Sequence, residues 1–184
     1  MRNKRIKPNL FMVGGSKGVG KTRLTLDAAA TSGLGRIETG KIVLDYVLQN
    51  LPLDELTDYI TQKILSQNGD LVLDTHYARY SDREEPNKQF RRGLEAEDLA
   101  RLVKKFNIFP CLVEVPVGEL ELRRRRDEKR RVISPNFIEE EMEFNRRGYG
   151  LYLAELKREP FVLINDVYTT AKDKLIQWIG TILR

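Results

Sequence analysis

The 184-residue sequence predicts an α/β fold: a mostly parallel, five-stranded sheet with helices on both faces, in a three-layer sandwich. Short apolar runs alternate with longer segments whose apolar residues recur every three or four positions, which is typical of strands alternating with helices. Glycine and proline fall between these segments. Hydrophobic residues make up 41% and charged residues 32%, so we expect one domain over residues 1–184 with a single buried core.

Four apolar runs are assigned to buried strands, at residues 9–13, 70–74, 110–115 and 161–164. The second run, DLVLD, places the carboxylate of Asp74 at the carboxyl end of its strand. Strands that are joined through helices pair in parallel, so the predicted sheet is mostly parallel.

Helical periodicity accounts for most of the sequence between these strands. Apolar spacing predicts helices at residues 21–30, around 53–64, at 99–106 and from 170 onwards. Ser134 followed by Pro135 is typical of a helix start, so a long helix is predicted from there through Tyr149. The polar segment 80–93 is interpreted as a loop that either closes over a substrate or faces solvent.

The turn after the first strand carries the most specific signal. Residues 15–22, GSKGVGKT, match G-x-x-x-x-G-K-[ST] between a strand and a helix, which is the context that this pattern requires. Glycines allow consecutive backbone N–H groups to converge on an anion, and the helix N-terminus adds partial positive charge. The turn therefore predicts a nucleotide phosphate site formed by Gly15, Ser16, Lys17, Gly18, Val19, Gly20, Lys21 and Thr22.

The end of this motif predicts ATP and Mg²⁺ as the ligands. Lys21 is expected to reach the β- and γ-phosphates, and the hydroxyl of Thr22 is expected to bind Mg²⁺. Asp74 is the predicted second magnesium residue, either directly or through water.

Charge and rare residues limit the classes of function. The net charge of +5 and a run of seven cations in nine positions, RRRRDEKRR at 123–131, fit an enzyme with anionic substrates or a nucleic-acid binder. The single histidine, His76, excludes most zinc sites and is expected to have a structural role. The single cysteine, Cys111, excludes an internal disulfide, and no apolar run could span a bilayer, so we expect a cytoplasmic protein without a membrane partner.

Three segments together resemble archaeal-type adenylate kinases, within the nucleoside monophosphate kinase family. They are the turn at 15–22, the LDTH at 73–76 and the LRRRRD at 122–127, and the resemblance extends over nearly the whole chain. It implies a P-loop nucleotide kinase that transfers phosphate from Mg-ATP to a nucleoside monophosphate, with AMP as the expected acceptor.

The resemblance also implies roles for individual residues. The family's L-x-R-x-x-R-D segment begins a lid over the ATP phosphates, which places a small arginine-rich lid at about residues 123–135 here. An F-x-R element in the following helix adds Arg146. The implied catalytic residues are Lys21, Asp74, Arg123, Arg126 and Arg146. The resemblance further places Asn165 near the adenine, and it implies acceptor contacts from Thr39, Gly40 and Arg79.

The acceptor remains open at this stage. The family usually carries an arginine between the second strand and the DTH strand, and this chain has none from residue 37 to 78. One alternative is a kinase of a small-molecule hydroxyl, with Glu38 or Asp74 accepting the proton. Another is a P-loop ATPase that binds RNA or acts in ribosome assembly, because a basic run can follow a phosphate backbone.

Overall fold

The computed structural model describes residues 7–52, 55–79, 90–127 and 132–184, and within them it confirms the predicted α/β fold class. The five-stranded sheet is parallel throughout, in the order β2-β3-β1-β6-β7, and β4 and β5 form a separate antiparallel pair. The strands are β1 (Asn9–Gly14), β2 (Gly35–Glu38), β3 (Leu71–Asp74), β4 (Ala78–Arg79), β5 (Arg91–Arg92), β6 (Asn107–Glu114) and β7 (Val162–Ile164).

The helices follow most of the periodic segments. They are α1 (Lys21–Ser32), α2 (Thr39–Leu48), α3 (Leu56–Leu65), α4 (Ala96–Lys105), α5 (Val117–Arg125), α6 (Pro135–Leu156) and α7 (Tyr168–Leu183). None of the helices in these described ranges is long and apolar enough to cross a membrane.

The sequence reading did not assign β2, α2 or the short pair of β4 and β5. β2 is an edge strand that pairs only with β3, and its four residues, GRIE, include a single large apolar side chain. An edge strand needs no continuous apolar run, so the pattern that identified the central strands is missing here. α2 follows β2 directly and buries little beyond Thr39 and Tyr46.

Alternating residues of β1 divide the core into the two interior layers of the sandwich. Phe11 and Val13 face a cluster with α1 and α7, whereas Leu10 and Met12 face a cluster with α3 and α4. Trp178 packs against the first cluster, where its ring stacks on Phe161 with centroids 4.4 Å apart.

Tyr77, three residues after β3, holds the central strands together where they approach the turn at residues 15–22 (the nucleotide turn). Its buried hydroxyl donates to the carbonyl of Met12 at 2.6 Å and accepts from the N–H of Cys111 at 3.0 Å. Gly14 makes room for the ring, because a Cβ there would lie 2.3 Å from it. β1 and β6 are thereby joined through one side chain at their carboxyl ends.

Tyr77→Phe is expected to lower the free energy of unfolding by about 1–3 kcal/mol, because it leaves buried backbone groups of β1 and β6 without that partner. Urea unfolding followed by circular dichroism measures the change. Tyr59→Phe is the matched control, since its hydroxyl has no hydrogen-bond partner in the part of the chain that the structure describes. Equal stabilities for the two variants would contradict the bridging role.

Candidate active site

The turn between β1 and α1 has a backbone that only glycine adopts readily. Gly15, Gly18 and Gly20 have positive φ angles of 143°, 92° and 92°. A Cβ on Gly15 would lie 2.3 Å from the carbonyl oxygen of Val113, and one on Gly20 would lie 2.5 Å from Nδ2 of Asn165. Side chains are therefore excluded where the turn packs on β6 and on the segment after β7, and backbone N–H groups remain as the ligand-facing groups.

Lys21 lies over this turn at the start of α1. Its buried ammonium donates to the carbonyls of Gly15 at 2.8 Å and Ser16 at 2.9 Å. The charge is held beside the converging N–H groups of the first turn of α1, which favours an anion at this point.

Thr22 and Asp74 form the oxygen pair that the sequence predicted for Mg²⁺. The Thr22 hydroxyl donates to Oδ2 of Asp74 at 2.7 Å. Burial raises the pKa of Asp74, while Lys21, the Thr22 hydrogen bond and Arg36 act in the opposite direction. Across the described residues no group of three or more metal-binding side chains occurs. A hydroxyl and one carboxylate still fit Mg²⁺, which usually takes its remaining ligands from water and substrate phosphates.

Arg36 is a site residue that the sequence reading missed. Its Nη2 lies 3.2 Å from Oε2 of Glu38 and 3.5 Å from Oδ2 of Asp74, so one guanidinium contacts both carboxylates. The available signal was alternation: Arg36 and Glu38 are two apart at the end of a short strand and therefore share a face.

Two adjoining cavities open beside the turn. The larger, of about 420 Å³, is lined by Glu38, Thr39, Gly40, Asp74 and part of the turn, namely Lys17, Gly18, Gly20, Lys21 and Thr22. The smaller, of about 230 Å³, is mostly apolar, with Val43, Leu56, Ile60 and Leu94 among its lining residues. The two cavities share Lys17, Thr39 and His76.

His76 lies at the boundary between the two cavities. Its Nδ1 is 2.7 Å from the carbonyl oxygen of Gly15, so the ring supports the start of the turn, as a structural histidine would.

The basic run is directed inward for part of its length. Arg123 donates to the carbonyls of Asn165 at 2.7 Å and Val19 at 3.4 Å, and Arg124 donates to the carbonyl of Lys17 at 2.7 Å. The sequence reading grouped Arg123 with Arg126 by their spacing. In the structure the inner face of α5 instead carries Leu120 and Arg124, one turn apart, because both are buried.

Asn165 lies directly against the nucleotide turn. Its Nδ2 donates to the carbonyl of Val19 at 2.7 Å. Within the described residues its buried Oδ1 has no hydrogen-bond partner. This amide oxygen is therefore available close to the turn, and the implied adenine contact stays a prediction.

Other predicted site residues are not gathered at the cavities. Arg126 is exposed at the end of α5, and Arg146 donates to Glu114 at 2.6 Å instead of lining either cavity. The backbone of Arg79 belongs to β4, but its side chain lies outside the description. The proposed lid and the polar loop also fall partly outside the described residues, at 128–131 and 80–89.

Comparison with known proteins identifies the fold. No protein-family model matches the sequence, and no curated protein matches it significantly. Among solved structures, a gluconokinase from Sinorhizobium meliloti 1021 matches with 13% identity and a TM-score of 0.55, covering 98% of each chain. A shikimate kinase from Bacteroides thetaiotaomicron matches with 12% identity and a TM-score of 0.58, covering 95% of this chain and 98% of that one.

A third match is the YorR protein from Bacillus subtilis in complex with phosphorylated GDP, with 11% identity and a TM-score of 0.61 over 95% of each chain. These likenesses show that the chain has the fold of the P-loop kinases. They do not single out the adenylate kinase type that the sequence motifs resemble.

Asp74→Asn is expected to raise the thermal unfolding temperature of the ligand-free protein at neutral pH. Burial raises the pKa of Asp74, so the folded state favours its neutral form, and ionised Asp74 reduces stability above that pKa. As the pH falls through the raised pKa, wild-type Asp74 takes up a proton and the advantage of the variant shrinks. Thermal unfolding of both proteins between about pH 8 and about pH 4 measures this trend.

Asp173→Asn is the control for that comparison, because its side chain is 74% exposed and should leave the unfolding temperature nearly unchanged. A destabilised Asp74→Asn protein at every pH would show that the contacts with Thr22 and Arg36 outweigh burial.

Proposed function

We propose that this protein is an ATP-dependent kinase that transfers the γ-phosphate to a hydroxyl group of a small molecule. The observation that carries the proposal is the position of Glu38. Its carboxylate lies on the wall of the larger cavity together with Lys21, Thr22 and Asp74, next to a smaller and mostly apolar cavity. The proposed phosphate site and the candidate base, Glu38, therefore line the same cavity.

The nucleotide turn is the proposed donor site. The backbone N–H groups of the turn and the ammonium of Lys21 would hold the phosphates and offset their negative charge. Thr22 and Asp74 are the residues that would hold Mg²⁺, which when bound neutralises charge shared between the phosphates.

The two carboxylates are suited to different tasks. Asp74 is buried and accepts the Thr22 hydroxyl, so it is assigned to the metal. Glu38 is more accessible, with 21% of its side chain exposed, and Arg36 fixes its orientation. An acceptor hydroxyl must lose its proton as its oxygen forms the new bond to phosphorus, and ADP departs as the old bond breaks. Glu38 would receive that proton.

The smaller cavity favours a neutral acceptor group over a phosphate. Among the described residues that line it, the basic side chains are limited to Lys17 and His76, and arginine is absent. A nucleoside monophosphate presents a dianionic phosphate, which proteins usually hold with arginine forks. The volume of the smaller cavity, about 230 Å³, also suits a small acceptor. A gluconokinase and a shikimate kinase among the similar structures agree with this reading.

Transfer to a nucleoside monophosphate is the second candidate. The DTH strand end and the arginine segment favour it, as does a similar structure that holds phosphorylated GDP. The RNA-binding alternative is weakened, because Arg123 and Arg124 donate to carbonyls of the nucleotide turn, at Val19 and Lys17, which leaves fewer cations of the run for an RNA backbone.

The proposal predicts that ATP and Mg²⁺ support transfer to a member of a panel of polyols, sugars and hydroxy acids, measured as ADP release and phosphorylated product. With that acceptor, Glu38→Gln should lower kcat by about 10²–10⁴-fold and leave the affinity for Mg-ATP within about twofold, because the proton acceptor is lost but the donor site is intact.

Glu121→Gln is the matched control, since Glu121 pairs with Arg125 on α5, away from both cavities. Nucleoside monophosphates belong in the same panel. Transfer only to one of them, with full activity in Glu38→Gln, would replace the hydroxyl acceptor by the second candidate.

A further inference from the structure

We infer that the buried ion pair of Arg124 and Glu141 is a positioning device for phosphate binding, which fixes the direction of the peptide between Lys17 and Gly18. The inference deepens the proposed function and rests on it. Neither residue was singled out by the sequence motifs, and neither lines the larger cavity.

The pair holds Lys17 from both sides. The Lys17 N–H donates to Oε1 of Glu141 at 2.6 Å, and the Lys17 carbonyl accepts from Nε and Nη2 of Arg124 at 3.0 and 2.7 Å. Nη2 of Arg124 also donates to Oε2 of Glu141 at 2.8 Å. The two side chains are only 1% and 3% exposed. One residue of the turn therefore has both backbone groups fixed by the same buried pair.

The direction of the next N–H follows from peptide geometry. In a planar trans peptide the carbonyl of one residue and the N–H of the next point in opposite directions. Because Arg124 holds the Lys17 carbonyl, the N–H of Gly18 is turned away from Arg124. Gly18 lines the larger cavity with Gly20, Lys21 and Thr22, so its N–H can join the set that meets the phosphates.

A purely structural role does not explain why this pair is charged. Taking two ions out of water costs free energy, and apolar residues of similar volume often stabilise a core equally well. The turn, however, has backbone groups that no helix or strand pairs, and a guanidinium fork makes strong, directed bonds to a carbonyl. The pair is therefore suited to orienting a peptide that binds a ligand.

The same guanidinium also connects the turn with the segment that follows the basic run. Nη1 of Arg124 donates to the carbonyl of Val132 at 3.1 Å, and Glu141 lies on α6. The end of α5, the segment before α6 and the nucleotide turn are thus held by a single side chain. Displacing Arg124 would therefore affect the turn at Lys17 and the chain at Val132 together.

The first test is the affinity of Arg124→Lys for Mg-ATP and for tripolyphosphate, measured by calorimetry. Lysine keeps the charge opposite Glu141, but one ammonium cannot reproduce the two-pronged contact with the Lys17 carbonyl together with the bond to Val132. We expect a folded protein with about 10–100-fold weaker binding of both ligands. Binding within twofold of the wild type would overturn the inference.

The second test separates positioning from stability. Arg124→Met leaves Glu141 buried and unpaired, so it should lower the unfolding temperature strongly; Arg124→Met combined with Glu141→Gln removes that unpaired charge and should recover much of the loss. If the pair positions the turn, affinity for tripolyphosphate stays weak in the double variant although stability recovers. If affinity recovers together with stability, the pair is only structural and the inference is wrong.

Arg125→Met is the matched control. Arg125 is the adjacent arginine on α5. It is exposed and pairs with Glu121, so its loss changes the net charge equally without touching the turn. Its affinity for tripolyphosphate should stay within twofold of the wild type. A wild-type protein that bound neither Mg-ATP nor tripolyphosphate would overturn the proposed function and the inference with it, whereas tight wild-type binding with unaffected variants would overturn the inference alone.

Discussion

The site depends on one constraint: a turn whose N–H groups must face an anion cannot pair them within the sheet or a helix. Its carbonyl groups therefore need donors from elsewhere in the chain, and the structure supplies them individually. Lys21 holds the carbonyls of Gly15 and Ser16, and Arg124 holds that of Lys17. Asn165 holds the carbonyl of Val19. With these carbonyls fixed on the protein side and the Lys17 N–H held by Glu141, N–H groups such as that of Gly18 can meet a ligand.

The same edge of the sheet concentrates charge of both signs. The carboxyl ends of parallel strands meet there, so Glu38 at the end of β2 and Asp74 at the end of β3 become neighbours, in register with each other. Arg36 lies between them and contacts both. Its charge offsets a carboxylate pair that would otherwise repel. Both carboxylate residues line the larger cavity, and Glu38 is the more exposed of the two. The proposed roles, metal binding for Asp74 and proton acceptance for Glu38, rest on this difference in burial.

Packing around Tyr77 links this edge to the core. Its hydroxyl joins β1 and β6, its N–H donates to Asn145 on α6, and the turn begins directly after Gly14, against which its ring lies. The helix that carries Glu141 is therefore fixed to the same strands that present the nucleotide turn. This shared framework is what allows a side chain 124 residues away in sequence to accept the Lys17 N–H at 2.6 Å.

The sequence by itself determined the alternation of strands and helices, the nucleotide turn, and the pairing of Thr22 with Asp74, because these depend on local spacing and on strand ends that must meet. Only the tertiary structure decided which arginines serve the turn. Helical spacing could not show which of four adjacent arginines faces the protein interior. In the structure it is Arg124, which is buried on the same face of α5 as Leu120. Glu141 shares the buried stripe of α6 with Ile138 and Met142, a signal that a carboxylate there needs a partner. That partner is fixed by long-range packing, which no local pattern in the sequence encodes.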